Sequence, residues 1–401
     1  MAERLNNIMR EPVGNAVERM RETERRHKVG KLDGACLLGI TLLLIVGLIA
    51  LFSASYAKSY YSYNDATRLI RQQTLFAAVG FCAMMFLSYI PYRAILYFHR
   101  LIFLICAVLL ALTPLIGTDN NTFATRWIKL PGIGTFQPSE LMKISIIISF
   151  AYLAAKDGDR VRKLRNLIYP YGAMIAVVAV LLMLEPHTSA TVIILLIAVA
   201  ILFVAGMPIW VFPPMMLAGG GLVALVWSGI IKWEKIEHVR ERLMVWLDPF
   251  IDLTKGGWQA ANSFVAIGSG GFWGLGLGQG RQKHGSLSEP ANDFIFSVWC
   301  EEMGFVGALL VILLFAFLIY RGFYIARNAP DKEGCLLATG LTAKLAIQTI
   351  VNLFVVTGLF PVTGAALPFF SYGGTALLLQ LAEMGMLLNI SRYMRAEARE
   401  T

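Results

Sequence analysis

The sequence predicts an all-α polytopic membrane protein of about ten transmembrane helices, with a large outer loop between the seventh and the eighth. Three observations predict it. Hydrophobic residues fill 57% of the 401 positions and charged residues only 15%, too apolar a balance for a soluble domain of this length. Apolar runs recur near the roughly 20 residues that a helix needs to cross a bilayer. Lys and Arg collect in alternate loops, which orients such a bundle by the positive-inside rule.

The runs fall at 34–54, 73–90, 98–116, 138–155, 168–184, 188–205, 210–231, 295–320, 335–358 and 367–390. They divide the chain into an N-terminal segment 1–33, a membrane domain 34–390 with an outer loop 232–294, and a tail 391–401. Basic residues crowd the segment before the first span, then Arg93 and Arg100, the 156–167 loop, Arg321 to Lys332, and the tail. Both ends are therefore expected in the cytoplasm. The first span follows a polar segment of mixed charge and is long enough to stay in place, so it is expected to be an uncleaved anchor. The formal charge of +9 is explained by these loops, and no nucleic-acid partner is implied. Five cysteines lie in or beside apolar runs without C-x-x-C spacing, so neither a disulfide framework nor a zinc site is expected.

The outer loop opens with WEKIEHVRERLMVWLDPF, whose Trp233, Ile236, Val239, Leu243, Trp246 and Leu247 recur at helical spacing. It reads as an amphipathic helix lying on the membrane surface. The glycine-rich stretch that follows has no phosphate-loop pattern. Tight turns and close backbone packing are its first explanation, and a phosphate cradle with Arg281 and Lys283 is the second.

Ionisable residues inside a membrane protein are costly and usually face a partner or a cavity. Glu140 and Lys143 stand at i, i+3 at the start of the fourth span, where they share a face and can pair. A structural ion pair and a substrate site both fit. Glu185 and His187 occupy the turn after the fifth span, PFFSYGGTA with Ser371 opens the tenth, and Asp293 opens the eighth from the same side. Helix capping is the plain account of Asp293. Glu301, Glu302, Lys344 and Glu383 are placed deeper, where mutual pairing is the simplest reading and a proton or ion path the alternative.

At these residues the chain resembles the SEDS family (shape, elongation, division and sporulation). The motifs are RWIKLPGIGTFQPSELMK, GWQAANSFVAIGSGGFWGLGLGQGRQKHGSLSEPANDFIFSVWCEEMGFVG, NLFVVTGLFPVTGAALPFFSYGG and LLNISRY. GLGLGQGRQK and LLNISRY are more similar to the FtsW and SpoVE branch than to the RodA branch. The resemblance implies a peptidoglycan glycosyltransferase that polymerises lipid II at the outer face of a bacterial cytoplasmic membrane, working with a class B penicillin-binding protein. It implies that Asp293, in the D-F-I-F motif, is the catalytic general base. Arg126, Lys143 and Lys283 suit the pyrophosphate of the lipid donor, with Glu140 and Ser371 completing the substrate-binding set. No cofactor is certain beyond a divalent cation that could assist the leaving group. Two departures stand out: Glu185-Pro-His-Thr replaces the usual Q-P-D-x, which leaves no acid at position 187, and Leu287-Ser-Glu-Pro-Ala-Asn-Asp293 replaces L-P-E-P-x-T-D. A lipid II flippase and a non-catalytic division scaffold are the competing readings.

Overall fold

The computed structural model describes residues 30–117, 126–130, 134–185, 188–214, 217, 221, 244–250, 257–287 and 289–394. Most of the N-terminal segment, most of the span expected at 210–231, residues 233–243 of the surface helix expected at 233–250, His187 and the last residues of the tail lie outside them. Among the described residues, eight helices are long and apolar enough to cross a membrane, and Ser189–Ala205 is a shorter apolar one.

The elements are α1 (Gly34–Tyr63), α2 (Arg68–Leu87), the short α3 (Tyr92–Tyr97), α4 (His99–Ile116), a hairpin of β1 (Ile128–Leu130) and β2 (Gly134–Phe136), and α5 (Pro138–Asp157). After a run of tight turns come α6 (Ala173–Leu184), α7 (Thr188–Ala205), α8 (Gly257–Gly270), α9 (Ile295–Arg327), α10 (Lys332–Val356) and α11 (Gly374–Arg392). Local chemistry sets several of these limits. Asp33 and Asp331 accept capping bonds from Cys36 N and Gly334 N at 2.7 Å each, and Pro138 fills the first turn of α5, where its missing N–H costs nothing. The hairpin pairs Ile128 with Phe136, and Thr375 of α11 donates to the Thr135 carbonyl at 2.8 Å.

Cross-links sort the two ends of the bundle. At one end Arg321 pairs with Asp33, Arg93 with Asp331, and Tyr171 donates to Asp157 at 2.8 Å. The basic loops thus meet at a common level. At the other end Lys58 pairs with Glu289 at 2.8 Å, Tyr372 donates to Gln72 at 2.8 Å, and Trp246 donates to the Gly358 carbonyl at 2.8 Å.

Helix α9 is broken at Gly304, whose φ of 62° and ψ of −164° belong to a region only glycine occupies readily. An unbroken helix would join Phe305 N to the Glu301 carbonyl and Val306 N to the Glu302 carbonyl. Instead those amides donate to the Gly271 and Phe272 carbonyls, at 3.0 and 3.3 Å, while Leu275 N and Gly276 N take the two glutamate carbonyls at 3.0 and 2.9 Å. Two helical bonds are exchanged for four to the glycine loop. Gly274 and Gly304 touch so closely that a β-carbon on Gly304 would lie 2.3 Å from Gly274 N. The glycine-rich stretch is therefore a backbone plug, as its first explanation held.

The plug also revises the expected depths. Asp33–Arg321 and the 2.7 Å bond from Ser53 to Glu302 link α1 to α9 some 20 residues apart, about 30 Å at helical rise. That equals the hydrocarbon thickness of a bilayer. Tyr56, Tyr60, Tyr61 and Tyr63 are exposed just past Ser53, as an interfacial aromatic belt requires. Glu301 and Glu302 thus stand at the far end of this span, and α9 doubles back at Gly304: Trp299 Nε1 donates to the Gly307 carbonyl at 2.9 Å and the Phe370 ring meets both Trp299 and Phe315, so Asp293 lies inward of the two glutamates, the reverse of the order expected from the sequence.

Gly304→Ala is expected to cost about 3 kcal/mol or more, from strain and steric overlap together. Gly268, in α8, has nothing within 4 Å of the place a β-carbon would take, and should accept Ala with a gain of about 0.5–1 kcal/mol. Thermal unfolding of the detergent-solubilised chain checks both, and equal effects would refute the interlock.

Candidate functional site

Asp293 is partly buried and stands one residue outside the N-cap of α9, which is Phe294 and makes no side-chain capping bond. Its backbone is held from α10 and from the α10–α11 connection. Tyr372 N donates to the Ala291 carbonyl at 2.8 Å, Ser371 Oγ to the Asn292 carbonyl at 2.8 Å, and Asn352 Nδ2 to the Asp293 carbonyl at 2.8 Å. Three successive carbonyls are fixed by three donors. Gly364 packs against the carboxylate, close enough that a methyl on it would lie 3.4 Å from Oδ2.

Ser371, expected to bind substrate, has its hydroxyl occupied by this task, since it also accepts from Leu367 N at 2.8 Å. It positions the loop. Asn352 is not among the residues expected from the sequence, although an Asn inside an apolar helix, followed by LFVV, is the kind of residue that must find a partner.

Lys283 is engaged within the chain. Its ammonium donates to Glu302 Oε1 at 2.6 Å, Gly278 O at 2.9 Å and Ser53 Oγ at 3.0 Å, and its side chain is only 3% exposed. All three of its donors are used, so in this structure it clamps the glycine loop. Glu301 completes the clamp by accepting from Arg281 N at 2.8 Å and Gln282 N at 3.3 Å.

Lys143 pairs with Glu140 at 2.6 Å, as the i, i+3 spacing predicts, and is 3% exposed. The pair does not stand alone. Lys344 approaches Glu140 at 3.8 Å and binds Glu383, so α5, α10 and α11 share a charge-balanced quartet buried among them. It joins two residues for which the sequence favours mutual pairing to the pair expected at the substrate.

Arg126, just before β1, is half-buried and donates from Nε to the Glu185 carbonyl at 3.5 Å. Glu185 is fully buried, and neither carboxylate oxygen has a hydrogen-bond partner among the described residues. Burial pushes its pKa from 4.5 up to about 7, against the opposite pull of Thr113 and Arg126. Among the described residues no three His, Cys, Asp or Glu side chains converge.

Removing one member of the quartet leaves buried charge uncompensated, which costs about 3–5 kcal/mol. Lys344→Met should lower stability by that order, and Lys344→Met with Glu383→Leu should recover most of it; thermal unfolding of the two variants is the check. For Glu185 the sign follows from its raised pKa. The folded chain holds a proton that the unfolded chain releases, so its contribution is complete below pH 4.5 and is lost as pH rises through about 7. Glu185→Gln should flatten that part of the melting-temperature profile and raise stability above pH 7.

A family model described as a cell cycle protein of the FtsW, RodA and SpoVE group matches residues 35–396. The chain is 38% identical over 361 residues to stage V sporulation protein E of Bacillus subtilis, covering 89% of this chain and 96% of that one. It is 36% identical over 376 residues to a probable peptidoglycan glycosyltransferase FtsW of a Geobacter species, covering 92% and 100%. A solved structure described as the structural coordination of polymerization and crosslinking by a peptidoglycan synthase complex aligns at a TM-score of 0.74, with 26% identity, over 91% of this chain and 99% of the other. The rod shape determining protein RodA of Thermus thermophilus aligns at 0.63, with 25% identity, over 90% and 97%. With the polar groups at the Asp293 end, the broken α9 and a match along almost the whole membrane domain, the chain belongs to the FtsW/RodA/SpoVE family.

Proposed function

We propose that the chain is a peptidoglycan glycosyltransferase that polymerises lipid II at the outer face of a bacterial inner membrane, in division or in sporulation. The observation that carries the reading is the fixation of Asp293: a partly buried carboxylate in the half of the bundle away from the basic loops, on a backbone whose carbonyls at 291, 292 and 293 are each held. Names borne by the relatives support the reaction class. The gathering of the basic loops at the opposite end supports an outward-facing Asp293 and cytoplasmic termini.

In the reaction, a sugar hydroxyl of the incoming lipid II attacks the anomeric carbon of the growing, lipid-linked strand. A carbon–oxygen bond to the acceptor forms as the bond to the pyrophosphate oxygen breaks, and the hydroxyl proton passes to Asp293. Polyprenyl pyrophosphate leaves. One such displacement turns an α-linked donor into a β-linked polymer. Arg126, the least buried of the three predicted cations, is assigned to the leaving pyrophosphate. Glu140 and Lys143 contribute by holding the helices that frame the site. A class B penicillin-binding protein is the proposed partner, supported by the likeness to a chain of a peptidoglycan synthase complex.

General-base assistance is worth about 10²- to 10⁴-fold. Asp293→Asn should therefore lose polymer by that order while melting near the parent temperature. Asp293→Glu should lose about 100-fold, because roughly 1 Å of misplacement costs that much. Gel analysis of glycan strands from purified lipid II provides the measurement. An Asn variant that polymerises normally removes Asp293 from the mechanism, and one that fails only in moving lipid II across vesicles favours the flippase.

A further inference from the structure

Asn352 lies in α10, eight residues beyond Lys344 and four beyond Gln348, so the three share one helix face. All three are buried, Asn352 completely. Its amide nitrogen spends both protons on main-chain carbonyls, Asp293 O at 2.8 Å and Ala365 O at 2.7 Å. Two carbonyls facing one side chain demand a group with two donors, which fixes the orientation of the amide. Its oxygen is left buried with no partner among the described residues. Such an orphan is costly, and an apolar side chain would remove it, so the site keeps the amide for what its nitrogen does.

The two carbonyls belong to the two walls of the carboxylate. One is that of Asp293 itself; the other follows Gly364, the residue packed against Oδ2. A single planar group thus spaces the acid from the loop that faces it. The helix that carries this group is in turn held by the quartet through Lys344, about 12 Å away along the same face.

We infer that Asn352 is a positioning residue for Asp293: it touches neither substrate nor reacting atoms, and it sets where the carboxylate stands relative to the 364–371 loop. The inference rests on the reading of Asp293 as general base. Ser371 and Tyr372 N tie the two preceding carbonyls to the same connection, and Asn352 ties that of Asp293 itself to Ala365, the neighbour of Gly364.

The test compares the full-length parent, Asn352→Ala, Asn352→Gln and Asp293→Asn in polymerisation of purified lipid II, with kcat, KM, melting temperature and the acidic limb of the kcat/KM profile recorded for each. Asn352→Ala is expected to lower kcat 10- to 100-fold, as slight misplacement of a catalytic group does. KM should stay within about threefold, and the acidic limb, which reports the free enzyme's base, should shift. Asn352→Gln keeps both donors but displaces them by one methylene, and should recover part of kcat. A merely structural role would lower the melting temperature and leave the acidic limb in place. If the Ala variant does not fold, the Gln variant decides: a fall in kcat at the parent's melting temperature supports the inference. Parental kcat and acidic limb in a folded Ala or Gln variant, with Asp293→Asn inactive, overturns it alone. Normal polymerisation by Asp293→Asn overturns the reading beneath it.

Discussion

Main-chain N–H and C=O groups that leave a helix at or near lipid must find partners inside the protein, because the hydrocarbon offers none. This chain leaves the helix twice near its functional end, at the break in α9 and in the long connection from α10 to α11. In each place the irregular backbone is satisfied by another irregular segment: the 271–276 loop closes on residues 301–306, and residues 371–372 close on 291–292. The segment carrying Asp293 is suspended between these two closures. Its position follows from main-chain bonding more than from the apolar packing that holds the rest of the bundle.

Charge is handled in the same way. The quartet of Glu140, Lys143, Lys344 and Glu383, and the clamp of Lys283 with Glu302, bring ionised groups inward only where an opposite charge or a set of donors meets them. Replacing such pairs by apolar residues is often neutral or stabilising in other proteins, so stability alone does not account for them. What they add here is register: each clamp admits one relative placement of the elements it joins, α5 with α10 and α11, and the glycine loop with α1 and α9.

Much of this was legible in the residues. Hydrophobic run length located the described spans, with α1 and α9 extending further than their apolar cores. The i, i+3 spacing of Glu140 and Lys143 foretold their pairing, and the cost of burial foretold that of Lys344 with Glu383. The glycine density of 256–283 foretold close backbone approach. What the sequence could not show was which backbone the glycines approach, because carbonyls carry no side-chain signature and their pairing is a long-range matter. For the same reason Lys283 looked like a ligand for phosphate and Ser371 like a substrate contact: both stand in motifs at the right end of the bundle, and only the fold shows their donors already used. Asn352 escaped notice because a lone amide in an apolar helix announces that it has a partner without saying which.

The two links between α1 and α9, spaced at about the thickness of a bilayer's hydrocarbon, make the membrane itself a ruler for this site. One link is fixed among the basic loops and the other at the glutamates beside the glycine plug. A change in bilayer thickness would move its polar surface relative to Asp293, at a cost of fractions of a kcal/mol per Å. The pyrophosphate of a polyprenyl-linked sugar rides at that surface, so its height relative to the carboxylate would change with the acyl chains around the protein. Lipid composition then becomes a determinant of how well donor and base are matched.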